Sequence, residues 1–570
     1  MKKSRVLAVL LCVVMLLALA AACGDKEDSS TSQGSTGSTD SGQSSGDVPT
    51  FPSGGATTPD GGGQTGSTDT QGSTDAVAPI TGRDTLNVAT TVDAGTLDCT
   101  QTGGDMFPVL LNINETLWQV DIDGSVRPLL ADSWEWVADD HMVVNLRRDV
   151  FFACGNPFTT EDILLTFALN EEAGPRGRPR VQTTDHERTK AIDEYTLDWY
   201  LPAPSILHWT VGSDCPMVCS TCYDADKQAV TPCGTGPYTV TDYVVNSHIA
   251  LALRDDYWGF SADGIFKPTI KNITYRVLQE PSQRVNALQT GLVDVATVSL
   301  TDVSFVQGLD DYVVVARPGQ SWLAMGFNIS ADGILGDPEA RYAIMHAINR
   351  KVIGDLVYNG LAYVMDAPFT TANLDHEKRF ENAHPIYSIG YDLDRAKELA
   401  EKSGLSGKTI RLINGGTSEQ IAACELVQNM LEQINVNVEI HTYDGPSFTE
   451  AQWDKDAYEI SIRNGMCPNL RTGDNYVNAV INNAIWNIPE NWANGNGPRY
   501  FEIVRQSLST IDPNKLSDIL WELMQYYIET SPTYALVGFD TYTAFSKDLD
   551  LSGFRHRAIG FYYPMEFVFR

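Results

Sequence analysis

The segment running from Thr409 to Tyr443 constrains the fold most. Apolar residues alternate over 409–413 (T-I-R-L-I), an N-G-G turn follows, and Ile421, Val427, Met430, Leu431 and Ile434 then fall on one helical face. Alternation resumes over 436–440 (V-N-V-E-I). Strand, helix and strand with short joints make a crossover unit, the connection that parallel strands require and antiparallel ones do not. The chain is therefore expected to contain an α/β layer, with a helix laid across a parallel sheet.

Two further helices are expected nearby. One opens at Asp337, with Pro338 at the first helical position, and stops at Asn359 and Gly360. The other starts at Asp392, turns Leu393, Ala396 and Leu399 inward, sets Glu398 against Lys402 outside and ends at Gly404. Before this region the chain is richer in strands and turns. Residues 84–92 (D-T-L-N-V-A-T-T-V) alternate as an opening strand, and 234–238 (G-T-G-P-Y) form a turn entering the strand 238–243, its glycines permitting positive φ. The stretch 406–409 (S-G-K-T) ends like a nucleotide loop but lacks the leading glycine and precedes a strand, which excludes that reading.

The N-terminus reads as an export signal. Lys2, Lys3 and Arg5 precede an apolar run to Ala22 that is too short and too poorly flanked for a membrane span. Small residues before Cys23 resemble a bacterial lipoprotein signal, with Cys23 as the lipidated first residue. Residues 23–83 are Ser, Gly, Thr, Asp, Gln and Pro with few large apolar side chains, too little to offset the entropy of ordering. Such a tether has a reach on the order of 40 Å. The remaining body, from Asp84 onward, is long for a single core and implies two or more lobes.

The net charge of −33 disfavours nucleic acid and other polyanions and weakly favours cationic or zwitterionic ligands. Beyond Cys12 and Cys23 lie Cys99, Cys154, Cys215, Cys219, Cys222, Cys233, Cys424 and Cys467. An even number after export suggests disulfides. The cluster Cys215, Cys219, Cys222 and Cys233 leaves three readings open: local disulfides, a zinc or iron–sulfur site, or free thiols. No histidine pair has metalloprotease spacing and no G-x-S-x-G elbow occurs. Among enzymes this leaves a glycosidase-like carboxylate pair as the alternative, with a surface adhesion lipoprotein as a third class.

Ordered stretches spanning the body resemble one family. They are 96–98 (T-L-D), 115–118 (E-T-L-W), 123–134 (D-G-S-V-R-P-L-L-A-D-S-W), 145–152 (N-L-R-R-D-V-F-F), 156–162 (N-P-F-T-T-E-D), 234–238, 254–258 (R-D-D-Y-W), 275–278 with 284–294 (R-V-N-A-L-Q-T-G-L-V-D), 341–350 (R-Y-A-I-M-H-A-I-N-R) and 391–397 (Y-D-L-D-R-A-K). The chain is similar to the large peptide-, dipeptide- and nickel-binding group of extracellular solute-binding proteins of ABC importers. The resemblance implies a two-lobed α/β periplasmic-binding-protein fold with an interlobe cleft and an extra subdomain on the first lobe. The first lobe would cover 84–318, the second 319–539, and 540–570 would return to the first. Crossings are expected near Arg317 to Gly319 and near Phe539 to Tyr542, with hinge closure on the ligand. It further implies a monomeric, non-enzymatic binder without cofactor or bound metal. Such a binder is held to the outer face of the cytoplasmic membrane by its lipid and hands a peptide or other small polar solute to ABC permease subunits.

The same resemblance locates ligand candidates. Residues 463–470 (R-N-G-M-C-P-N-L) resemble the R-x-G-W-C-x-D-Y pattern at the cleft of oligopeptide binders. Arg463, Asn464, Met466 and Asn469 follow from it. Asn469 stands where the ammonium-pairing aspartate is expected, which implies weak dependence on a free peptide N-terminus. The family's usual cysteine partner near the first crossing is absent from 319–328, so Cys467 is free or paired with a different cysteine such as Cys99 or Cys424. Trp322 stacks on a ligand or packs in the core; Arg463 holds a ligand carboxylate, a structural acid or solvent. Asp98 and Thr100 line the cleft or cap a helix. Tyr443, with Asp444, ends a strand on the side where open α/β sheets bind. Trp486 and Trp492 flank an Asn-rich loop that would cover the cleft.

Overall fold

The computed structural model describes residues 83–570 except 103–105, 122–124, 175–177, 182, 206–207, 264, 331, 366–388, 455, 467–496, 511, 513–514, 516–517, 520, 524, 527–532 and 553–562. The signal sequence, Cys23 and nearly all of the tether thus lie outside the described residues. Among the described residues no helix is long and apolar enough to cross a membrane.

An eleven-stranded sheet runs through the molecule. At one end the crossover unit appears as expected: Thr409–Asn414 and Asn437–Thr442 pair in parallel, joined by the helix Ser418–Glu432. Ile460–Met466 adds in parallel on the other side of Thr409–Asn414 and pairs antiparallel with the 16-residue strand Tyr312–Phe327. Next comes Thr533–Ser546, and beyond it Val295–Val298, Thr85–Thr90, Asn272–Val277, His248–Leu253 and Tyr238–Val244. The short strand Ala362–Val364 pairs with Thr533–Ser546 off this path.

The two long strands belong to both halves of the sheet. Pairing is regular from Tyr312 to Arg317 against Ser546 to Thr541 and resumes at Ser321 against Phe539, with a bulge between. Gly319 sits in that bulge. A Cβ there would lie 1.6 Å from the Phe539 carbonyl oxygen, and its N–H donates to the Asp540 carboxylate at 2.8 Å. Only glycine allows this approach.

Separate apolar clusters pack on the two halves. One runs from Trp322 to Val537 and includes Ile410, Leu412, Val427, Leu431 and Ile462. Another joins Leu86, Val88, Ile273 and Tyr275 to the late residues Phe545, Leu549, Met565 and Phe567, so the chain's end packs with its beginning. A third fills an antiparallel four-stranded sheet in the order Ala131–Ala138, His141–Leu146, Thr196–Tyr200, Lys190–Asp193. Trp118 and Trp199 stack at its centre with ring centroids 5.9 Å apart.

Several expectations are corrected by packing. Ile421 is exposed, and the buried stripe of its helix is Gln420, Ala423, Cys424, Val427, Met430 and Leu431. The single helix expected from Asp337 to Asn359 is two, Pro338–Ala347 and Arg350–Val357. Ile348 turns extended, and the Asn349 side chain accepts from the Val352 N–H to start the second. Asn359 and Gly360 then stop it with φ of 53° and 74°. Glu398 pairs with Arg395, not Lys402, and Lys402 pairs with Glu339 of the neighbouring helix. In the G-T-G-P-Y turn neither glycine has positive φ. They are needed because the Ile113 carbonyl would stand 1.9 Å from a Cβ on Gly234 and 2.7 Å from one on Gly236.

Candidate functional site

A cavity of about 250 Å³ opens where the two long strands cross the bulge. One wall is Val298, Ser299 and Leu300, at the end of the strand Val295–Val298. The floor is Phe539, Asp540, Thr541 and Tyr542. The opposite wall is Tyr358, Glu419 and Asn464. These residues come from five chain segments and from both halves of the sheet, which is the arrangement a ligand clamp between two bodies requires.

Each wall residue is held by a local cause. Arg284 donates to the Thr297 carbonyl at 3.0 Å and to the carbonyls of Leu278 and Gln279, anchoring the strand that ends at Val298. Tyr358 follows the helix Arg350–Val357, stacks on Phe539 with centroids 4.9 Å apart and is 1 % exposed. Among the described residues its hydroxyl has no hydrogen-bond partner. A buried hydroxyl without a partner costs about 1–3 kcal/mol, so this one weighs against the stability of the free protein. Glu419 lies in the first turn of Ser418–Glu432, where the helix dipole favours a negative charge. Thr409–Asn414, a parallel strand, leads into that turn, and open α/β sheets bind ligands beyond such strand ends.

The electrostatics are acidic and aromatic. Asp540 and Glu419 bring two carboxylates to the cavity. Burial, and after it the charge of Glu419, pushes the Tyr358 phenol above its ordinary value. Burial and then Asp540 do the same to Tyr542. Both phenols therefore stay protonated at neutral pH and keep a donor for a ligand.

Of the residues singled out in the sequence, Asn464 lines the cavity. Arg463, its neighbour on the strand, points to the opposite face, 6 % exposed, so solvent does not hold it. Its charge bears on buried Tyr458. Trp322 is fully buried in the apolar cluster that runs from Trp322 to Val537, opposite Gly465 in register. A Cβ on Gly465 would lie 1.9 Å from the indole, so the glycine of the R-N-G pattern makes room for this tryptophan. Asp98 and Thr100 are buried in a turn: the Asp98 carboxylate accepts from the Thr100 N–H at 2.9 Å, from its hydroxyl and from Tyr223. Tyr443 is half-buried after its strand, its N–H donating to the Asn414 carbonyl, and Asp444 caps the next helix at Ser447. None of Trp322, Asp98, Thr100, Tyr443 and Arg463 is among the lining residues. Met466 ends the strand opposite Ser321, while Cys467, Asn469, Trp486 and Trp492 lie outside the described residues.

The sequence reading did not single out Tyr358, Glu419, Asp540 and Tyr542, which line the cavity. The strand-end rule that pointed to Tyr443 pointed equally to the turn before Glu419, and the crossing at Phe539 to Tyr542 was read for topology alone.

The cysteines also differ from expectation. Cys99, Cys154, Cys215, Cys219, Cys222, Cys233 and Cys424 are all unbridged. Cys215 points away from its sequence neighbours and takes a hydrogen bond from Asn170. Cys154 takes the place expected of Cys215, beside Cys219 and Cys222.

Residues 125–487 match the family model of bacterial extracellular solute-binding proteins, family 5. The probable ABC transporter periplasmic-binding protein SapA of Escherichia coli is 24 % identical over 424 residues, 68 % of this chain and 74 % of SapA. Among solved structures, the ABC transporter substrate-binding protein CtaP of Listeria monocytogenes superposes with a TM-score of 0.74 at 16 % identity, covering 85 % of this chain and 99 % of CtaP. The periplasmic binding protein DppA of Helicobacter pylori, in complex with the peptide STSA, gives 0.68 at 21 %, covering 85 % and 98 %. These likenesses establish the mixed α/β periplasmic-binding-protein fold, and the family is one of binders, not enzymes. The chain belongs to the bacterial extracellular solute-binding proteins, family 5.

Proposed function

We propose that this protein is the substrate-binding lipoprotein of an ABC importer and captures a peptide or another small polar solute bearing a cationic group. The observation that carries this reading is the cavity at the strand crossing, walled from both halves of the sheet and holding Glu419 and Asp540 beside Tyr358 and Phe539. Carboxylates attract an ammonium, and the rings supply apolar contact and cation–π attraction. SapA and CtaP are named as ABC transporter binding proteins and DppA holds a peptide, which supports the same class.

In this reading residues 84–318 and 540–570 form one lobe and 319–539 the other, closing about the bulge at Gly319. The lipid on Cys23 and the tether 23–83 hold a monomer at the outer face of the cytoplasmic membrane, where the closed form meets the permease. Glu419 and Asp540 supply the negative charge that Asn469 does not, so the free peptide N-terminus regains importance.

The test is calorimetric binding of a short peptide of the STSA type, its N-acetylated form, and the same pair on Glu419→Gln. Charged hydrogen bonds contribute about 1.5–3 kcal/mol, so acetylation should weaken binding tenfold or more, and Glu419→Gln should shrink that difference. Equal affinity for both peptides would refute the cationic clamp; no saturable binding of any peptide would refute the peptide reading.

A further inference from the structure

We propose that Cys154, Cys219, Cys222 and Cys233 form a four-thiolate site for a single zinc ion, which staples the irregular loops of the first half of the chain. The Sγ atoms of Cys154, Cys219 and Cys222 all lie within 4.8 Å of one another. Cys154 and Cys219 are 3.7 Å apart, and Cys222 and Cys154 3.5 Å. Thiolates bound tetrahedrally at the usual Zn–S distance stand roughly 3.8 Å apart, whereas a disulfide brings its sulfurs to about 2.05 Å. Cys233, held beside Cys154 by the backbone bond between Ala153 and Gly234 and packed on the same apolar cluster as Cys222, is the fourth ligand assigned to the ion. An iron–sulfur cluster would spread its thiolates more widely than this trio, so a single ion is the fit.

The surroundings are built for such a centre. Cys219 and Cys222 come from one C-x-x-C turn. The Asn156 amide donates to the Cys154 sulfur at 3.3 Å and to the Cys219 sulfur at 3.7 Å. N–H donors on the sulfurs orient the thiolates and stabilise their charge. The turn carrying Cys154 is tied to the one carrying Cys233 by the Ala153 N–H to Gly234 carbonyl bond of 2.9 Å. The C-x-x-C turn is anchored to the helix Thr160–Glu172, where Ser220 donates to Asp162 at 2.6 Å and Val218 to Thr166 at 3.1 Å.

A reason for the staple is visible in the chain. From Cys215 to Tyr238 the described backbone has regular structure only in the single turn Ala225–Gln228. Loops of this length rarely stay ordered without an anchor. The metal would displace the thiol protons on binding and stabilise the folded loops by its own binding free energy. None of the four cysteines lines the solute cavity, so this inference stands apart from the transport reading.

The test is metal analysis of the purified protein, followed by zinc and cobalt(II) titration of the reduced, chelator-treated protein. One zinc per chain is expected, released by a thiol-binding mercurial. Cobalt should give the intense thiolate-to-metal bands and visible d–d bands of a tetrahedral sulfur site, a readout on the wild-type chain that no folding defect can mimic. Cys222→Ser should lose the metal, and Cys424→Ser, in the other core, should keep it. Failure to take up zinc or cobalt, full retention of zinc by Cys222→Ser, or disulfides among these four residues in non-reducing peptide mapping would each overturn the proposal.

Discussion

Glu115 makes a test of the packing in the first half of the chain. Its side chain is buried, and its carboxylate accepts from the Tyr257 hydroxyl at 2.7 Å and the Trp258 indole N–H at 2.8 Å, joining the E-T-L-W and R-D-D-Y-W stretches. Burial raises its pKa from 4.5 to about 7, against the opposing pull of these hydrogen bonds and of Arg254. Between those values the folded protein keeps a proton that the unfolded chain has released. The folded state binds more protons, so the contribution to stability is greatest below pH 4.5, falls as pH rises through the window and levels off above 7. At 1.36 kcal/mol per pH unit the loss is on the order of 3 kcal/mol. Glu115→Gln is the reference because an amide mimics the protonated acid: its NH2 faces the Tyr257 oxygen and its carbonyl accepts from Trp258. The assay is urea unfolding followed by tryptophan fluorescence at pH 5 and pH 8. Asp214, raised to about 6 by burial, tilts both proteins in the same direction. The difference between them therefore reports Glu115, and between pH 5 and pH 8 the wild type should lose about 2.5 kcal/mol more than the variant. Parallel pH profiles, or a wild type that gains stability over the variant at pH 8, would refute the assignment.

Two other substitutions separate causes that the fold combines. Tyr358→Phe removes a buried hydroxyl that has no partner among the described residues, so thermal stability of the free protein should stay level or rise, by about 1 kcal/mol. A stability loss above about 1 kcal/mol would show that the hydroxyl is already satisfied. Gly234→Ala drives a Cβ to 1.9 Å from the Ile113 carbonyl, which cannot yield, and should cost roughly 3 kcal/mol or more. Gly404→Ala meets nothing within 4 Å but must hold φ of +73°, and should cost about 1 kcal/mol. Thermal unfolding of the pair checks the order, and the reverse order would refute it.

The parts of this molecule legible in the sequence are those whose periodicity reports one element at a time. Strand 409–414, its helix and strand 437–442 stand as read, because alternation and a helical stripe are local signals. Errors appear where a second element decides. Ile421 fits a helical wheel on paper, yet the sheet takes the Gln420 side of the helix. Ile348 looks helical, yet Asn349 offers a cap that restarts the chain in a new direction. Cys215 belongs to the cluster by spacing, yet its loop turns it toward Asn170 and admits Cys154 from a distant hairpin.

The same distinction explains why the family was readable and the cavity at the strand crossing was not. Four arginines of the recognised stretches are buried and structural. Arg254 reaches the Gly234 and Gly236 carbonyls, Arg284 that of Thr297, Arg341 those of Leu335 and Gly336, and Arg350 those of Met365 and Ala535. Each buries a guanidinium that would be costly unless its donors found carbonyls in fixed positions, so each ties its stretch to one fold. Tyr358, Glu419, Asp540 and Tyr542 line the cavity and stand outside those stretches. Among the described residues of the R-N-G-M-C-P-N-L stretch, Asn464 lines the cavity. A chain of this kind therefore announces its frame through buried cations and close-packed glycines, while the cavity is lined by positions that only the folded crossing of two long strands brings together.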